Sequence, residues 1–147
     1  MALRPPAAAA MLAVLALVAT GCGRSEEDKV RDTLKRFGEA TAQKDYAVLC
    51  DDLLARQLVD RLRAIGLPCP QALSRALGGV VAPRLTVGRI RVQGDAAVAR
   101  TTSTARGQRP SQDLIRLVRQ DGEWRVASLS GAQPPSPPRN LAGEPEH

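Results

Sequence analysis

The chain has 147 residues, with 21 lysines and arginines against 15 acidic side chains, a formal net charge of +6. Its only aromatic residues are Phe37, Tyr46 and Trp124, so there is no stacking platform for single-stranded nucleic acid, and no nucleic-acid partner is expected. Arginine outnumbers lysine 18 to 3, which we read as base composition of the gene. The basic balance suits weak attraction to anionic headgroups or acidic envelope polymers, or simply a solvated basic surface.

Met1–Arg4 carries one positive charge, Arg4, and Ala7–Thr20 carries none. Those 14 residues fall short of a free transmembrane helix, which needs about 20, but suit the core of a signal peptide. The run closes on Ala19-Thr20-Gly21-Cys22. This resembles the lipobox of bacterial lipoproteins, in which small residues precede an acylated cysteine. The resemblance implies cleavage before Cys22, lipid attachment at its thiol, and residence on the extracytoplasmic face of the cell membrane. Ala19 departs from the Leu, Val or Ile more usual at that position. The alternative is ordinary signal peptidase cleavage near Ala19, which would leave Cys22 as a free thiol. Two or more acyl chains anchor stably, at about 0.8 kcal/mol per buried CH2. Without residues 1–21 there remain 126, enough for one domain and not for two. Residues 22–28 are then the lipidated cysteine and a short tether.

Three cysteines are an odd number. With Cys22 lipidated, Cys50 and Cys69 are left outside the reducing cytoplasm, where two thiols pair into a disulfide. Two free buried cysteines are the alternative. No CxxC occurs and His147 is the only histidine, so a Cys/His metal site lacks ligands. No metal and no other cofactor is expected.

Ser25 reads as a helix N-cap, with Glu26, Glu27 and Asp28 in the first turn, where the helix dipole favours them. Val30, Leu34, Phe37 and Thr41 recur on one face of a helix reaching about Gln43. Asp45 caps a second helix, with Tyr46, Leu49, Cys50 and Leu53 facing inwards. Leu54, Leu58, Val59, Leu62 and Ile65 continue the period after a break near Ala55, and Gly66-Leu67-Pro68 stops it. Cys69-Pro70 opens a short helix, Gln71–Leu77. Asp51-Asp52 are neighbours in sequence but do not face each other on a helix, and read as solvated surface.

Four strands follow. Leu85–Gln93 changes apolar parity near Gly88, which predicts a bulge. Gly94-Asp95 turns into Ala96–Ala105, a strand of small residues that either lets a helix approach or lines a modest cavity. After the loop 106–111 come Gln112–Arg119, the turn Gln120-Asp121-Gly122, and Glu123–Leu129. The last strand places Trp124, Val126 and Ser128 on one side and Arg125, Ala127 and Leu129 on the other. A proline-rich tail, 131–147, is expected to be disordered.

Helices followed by a meander ending in Asp121-Gly122-Glu123-Trp124-Arg125-Val126 resemble the NTF2-like superfamily, and more narrowly its small secreted lipoproteins. The resemblance covers about Asp28–Leu129. It implies an α+β fold in which N-terminal helices pack on a curved antiparallel sheet of about four strands, a cone over 29–130 whose concave face is a pocket. It also implies that Trp124 packs against the helices. Enzymatic members place histidine, aspartate and tyrosine in that pocket, and here His147 lies in the tail. We therefore expect a non-catalytic binding or interaction domain. The alternative is an isomerase or dehydratase with an atypical pocket of Tyr46, Asp113 and hydroxyl side chains. Tyr46 and Trp124 are the possible pocket residues. Nine arginines against four acids between residues 84 and 125 make the sheet half basic. Arg89 and Arg91 are possible contacts for an anionic partner. Expected partners are the membrane, through the lipid anchor, and an envelope protein, an acidic polymer or a small ligand.

Overall fold

In the computed structural model, residues 23–131 are described. The signal segment, Cys22 and residues 132–147 of the tail lie outside them, and so does His147. Ser25 caps helix α1 (Glu26–Gln43), its hydroxyl accepting from the Asp28 amide. The same hydroxyl donates to the Asp28 carboxylate at 2.6 Å, and this bond is the leading cause that holds the Asp28 carboxyl below its ordinary value. Lys44 ends the helix in the left-handed conformation, φ 56°. Val30, Thr33, Leu34 and Ala40 are buried along one stripe, the expected face displaced slightly because Phe37 and Thr41 are only partly covered.

The second helix differs from expectation. Asp45 caps α2 (Tyr46–Val48) by accepting from the Val48 amide. The chain then widens into a π-helical turn, Leu49–Leu53. That turn buries Leu49, Cys50 and Leu53 together. Leu54 leaves it in extended conformation and bridges to Val126 in the sheet, with the Ala55 amide donating to the Val126 carbonyl at 2.8 Å. The break expected near Ala55 is thus a point where the helical layer is tied to the sheet. Helix α3 (Arg56–Ala64) has no cap of its own; the Gln120 side chain supplies one by accepting from the Arg56 amide at 3.0 Å. Helix α4 (Cys69–Leu77) starts two residues earlier than expected. The Cys50–Cys69 disulfide is formed and ties the π turn to the first residue of α4.

The sheet is an antiparallel meander in the order β1 (Arg84–Gln93), β2 (Ala96–Thr104), β3 (Ser111–Gln120), β4 (Glu123–Gly131). The bulge falls where the parity change put it, between Val87 and Ile90. A Cβ on Gly88 would stand 3.0 Å from the Arg100 carbonyl oxygen, tighter than ordinary contact, so glycine suits the close approach of bulged β1 to β2. A second bulge, between Arg116 and Leu117 on β3, lets β4 gain one residue at Ala127. It turns Leu129 to pair with buried Ile115. Leu129 therefore joins the face of Trp124 and Val126, and not that of Arg125 as strict alternation predicts. β4 also extends through Gly131, one residue into the expected tail.

Val30 and Leu34 of α1 pack with Ile90, Ala97, Ala99, Ile115, Leu117, Trp124 and Val126 of the sheet in one core. The small β2 residues let α1 lie close: Ala97 and Ala99 are 2% and 0% exposed. A smaller cluster of Ala40, Leu49 and Leu53 takes in Tyr46.

Candidate functional site

The two ends of the sheet are built differently. At the end where β3 turns into β4, buried side chains pack against α1. Trp124 is 3% exposed, and its indole Nε1 donates to Glu26 Oε2 at 2.9 Å. Arg119 Nη2 donates to the same oxygen at 2.6 Å, and its guanidinium carbon lies 4.9 Å from the centre of the Trp124 ring. Lys29 Nζ donates to the other carboxylate oxygen at 2.8 Å. The Lys29 bond, then the indole bond, hold the Glu26 carboxyl below its ordinary value, with the Arg119 charge adding to them.

At the opposite end the space stays open. A cavity of about 610 Å³ lies between α1, the π turn, α3, α4 and the inner face of the sheet. That volume falls among ordinary small-molecule sites, about 300–1,000 Å³. Its helical wall is apolar: Phe37 and Gly38 of α1, Leu49 and Leu54 around the π turn, Leu58 and Leu62 of α3, and Ala72, Leu73, Ala76 and Leu77 of α4. Leu85, Ile115 and Leu129 complete the apolar lining from the sheet. Of these, Leu129 is 57% exposed although it lies on the inner face. The local reason for the cavity is that long leucines on the helices look across at short side chains: Ser103, Thr104 and Ala105 stand where the far wall would otherwise be filled.

The polar lining gathers where β1 begins, β2 ends and β3 begins, and this is the mouth. Arg84, Gln108, Arg109 and Ser111 are exposed there. Asp113 is the one carboxylate on the wall; it accepts from Ser111 Oγ at 3.0 Å. Deeper hydroxyls are already used. Thr41 Oγ1 donates to the Phe37 carbonyl at 2.7 Å, and buried Thr101, beside the cavity, donates to the Asp113 carbonyl at 3.4 Å.

Of the residues singled out in the sequence, Tyr46 and Trp124 do not line this cavity. Tyr46 packs on Leu49 and Leu53, and Trp124 is held by Glu26 at the filled end. Arg89 and Arg91 flank buried Ile90 on β1 and so stand on the outer face of the sheet, exposed. Through the strand register Arg91 lies beside Val98, and Val98 beside Arg116. Asp113 and four hydroxyl residues, Thr41, Ser103, Thr104 and Ser111, do meet at the cavity, without Tyr46. Arg84, Arg109 and the roof leucines were not singled out from the sequence. The available signal was a leucine-rich α3–α4 facing a strand of Ser, Thr and Ala. Among the described residues no cluster of His, Cys, Asp and Glu is able to hold a metal ion. No described helix is long and apolar enough to cross a membrane.

Residues 76–130 match the family described as putative lumazine-binding, a span from the end of α4 through nearly all of the sheet. An NTF2-like protein of unknown function from Shewanella baltica superposes with a TM-score of 0.54 at 18% identity, over 76% of this chain and 95% of that one. A protein from Kribbella flavida gives 0.51 at 14% identity, over 73% and 90%. No curated protein matches the sequence. At these identities the likeness shows the fold alone: an α+β domain with helices on a four-stranded antiparallel sheet, as in the NTF2-like protein from Shewanella baltica.

Proposed function

We propose that this protein is an exported, lipid-anchored binding module that takes a small, largely apolar molecule into the cavity beneath α3 and α4. The observation that carries the reading is the cavity itself, about 610 Å³ with a largely apolar helical wall and most of its polar groups at the mouth. An unfilled space of this size exposes leucine side chains to water, and a ligand that covers them gains about 25 cal/mol per Å². The non-catalytic reading rests on the wall chemistry. Asp113 is its one carboxylate, it sits at the mouth, and no histidine lies between residues 23 and 131.

The description of the matching family raises lumazine as a ligand class. Lumazine is a heterocycle with N–H and C=O groups around its rim, and each would need a partner when buried. The inner wall offers leucines, alanines and a phenylalanine. The cavity therefore favours a more apolar molecule.

The anchor reading rests on residues 12–22 and on the direction of α1. Gly38 and Thr41 of the cavity lie 12 and 15 residues along the helix from Glu26. At 1.5 Å per residue these positions stand about 18–22 Å along the helix from its start, the end nearer Cys22 in sequence. Native mass spectrometry on the exported protein tests the reading. The expected result is extra mass, lost on denaturation, belonging to a small apolar compound. Consistent absence of bound mass, together with failure to take up 1-dodecanol, would overturn it.

A further inference from the structure

Eleven of the sixteen described arginines form no ion pair, and what sets two of them apart is their place at the cavity mouth. Arg24, Arg36, Arg56, Arg63 and Arg119 each have a carboxylate within 4.0 Å. Arg84 and Arg109 line the cavity mouth, and neither has an ion-pair partner among the described residues. The nearest acid on the wall, Asp113, is engaged by Ser111 at 3.0 Å and forms no salt bridge. Two arginines against one aspartate leave the mouth with a positive charge at the edge of an apolar space. Guanidinium groups bind carboxylate and phosphate oxygens through paired N–H donors, and low-dielectric surroundings strengthen such contacts.

Resting on the reading that the cavity takes a ligand, we infer that the ligand is an amphiphile: an apolar body against Leu62 and Leu73, and one anionic headgroup, carboxylate or phosphate, between Arg84 and Arg109. The apolar body follows from the helical wall, which is apolar except for Thr41, whose hydroxyl is already bonded to the Phe37 carbonyl. The single headgroup follows from the confinement of both arginines to the mouth. Asp113 sets the limit on affinity by repelling the same anion.

The test is calorimetric titration of the full chain with dodecanoate, dodecyl phosphate and 1-dodecanol, which share one chain length and differ in the head. At least one anion is expected to bind about ten- to a hundredfold more tightly than the alcohol, and the tighter of the two identifies the head. Arg84→Gln with Arg109→Gln should erase that preference, bringing the anions to the affinity of the alcohol; both side chains are exposed, so the fold persists. Asp113→Asn should tighten anion binding severalfold. Ala72→Trp, which puts a bulky ring into the cavity, should weaken binding of all three. Equal affinity for alcohol and anions would overturn this inference and leave the cavity reading intact. A preference that survives the double arginine variant would overturn the assignment of the head to these residues. Failure of all three compounds to bind would overturn both readings.

Discussion

The filled and the open ends of this sheet use the same materials to opposite purpose. At the filled end, Trp124, Leu117 and Val126 meet α1 with exposures of 3%, 1% and 0%, and Glu26 bonds the indole and the Arg119 guanidinium. At the open end, α3 has no fully buried residue and α4 has only Cys69. The ties that hold the roof include the disulfide to the π turn, the Gln120 cap and Asp121 ion pair on Arg56 of α3, the Lys44 bond to the Gly78 carbonyl after α4 and the pairing of Leu54 and Ala55 with Val126. A rigid frame thus carries a lightly packed cover, and elements with few buried apolar contacts are those that open most readily.

Mutations should separate the ends. Leu117→Ala at the filled end removes a side chain that has no room to be replaced, and should cost about 2–5 kcal/mol in chemical denaturation. Cys50→Ser should cost about 3 kcal/mol, since the bond closes a loop of about 19 residues. Its hydrogen exchange should rise in α3 and α4 more than in α1. Leu62→Ala in the roof, where the side chain is half-buried and lines the cavity, should cost only about 1 kcal/mol. An equal loss for Leu62→Ala and Leu117→Ala would mean that the ends are not distinct.

The smallest expected effect is on pH. The Glu26 carboxyl is held below its ordinary value of 4.5 in the fold, so the native state binds fewer protons than the unfolded chain in the acid range. Its contribution is present above that value and is lost as pH falls through the lower folded value. Denaturation midpoints measured between neutral pH and pH about 3 should show less acid loss for Glu26→Gln than for the native protein. An identical acid slope in both would remove Glu26 from the account.

Much of the frame was legible in the sequence. Ser25 and the acidic first turn mark the start of α1, the 3.6-residue spacing of Val30 and Leu34 marks its buried side, and the parity change across Gly88 marks the first bulge. The second bulge left no such mark: Ala127 resembles any strand residue, so alternation put Leu129 on the wrong face. The π turn was equally silent, because its five residues keep a near-helical apolar period while the wider turn serves the bridge from Leu54 to Val126. The cavity was legible only as a choice. Leu58, Leu62, Leu73 and Leu77 have the spacing of core residues, and a sequence does not say whether short side chains opposite them invite a closer helix or leave a space. Here both occur on β2: Ala97 and Ala99 lie under α1, while Ser103 and Thr104 face the opening.

A crystal structure of the full chain grown with dodecanoate tests the central claim most directly. The account predicts continuous ligand density between α3, α4 and the inner face of the sheet, in contact with Leu62 and Leu73, with its carboxylate at Arg84 and Arg109. A roof collapsed onto Ser103 and Ile115, or a ligand bound elsewhere with the cavity empty, would contradict it.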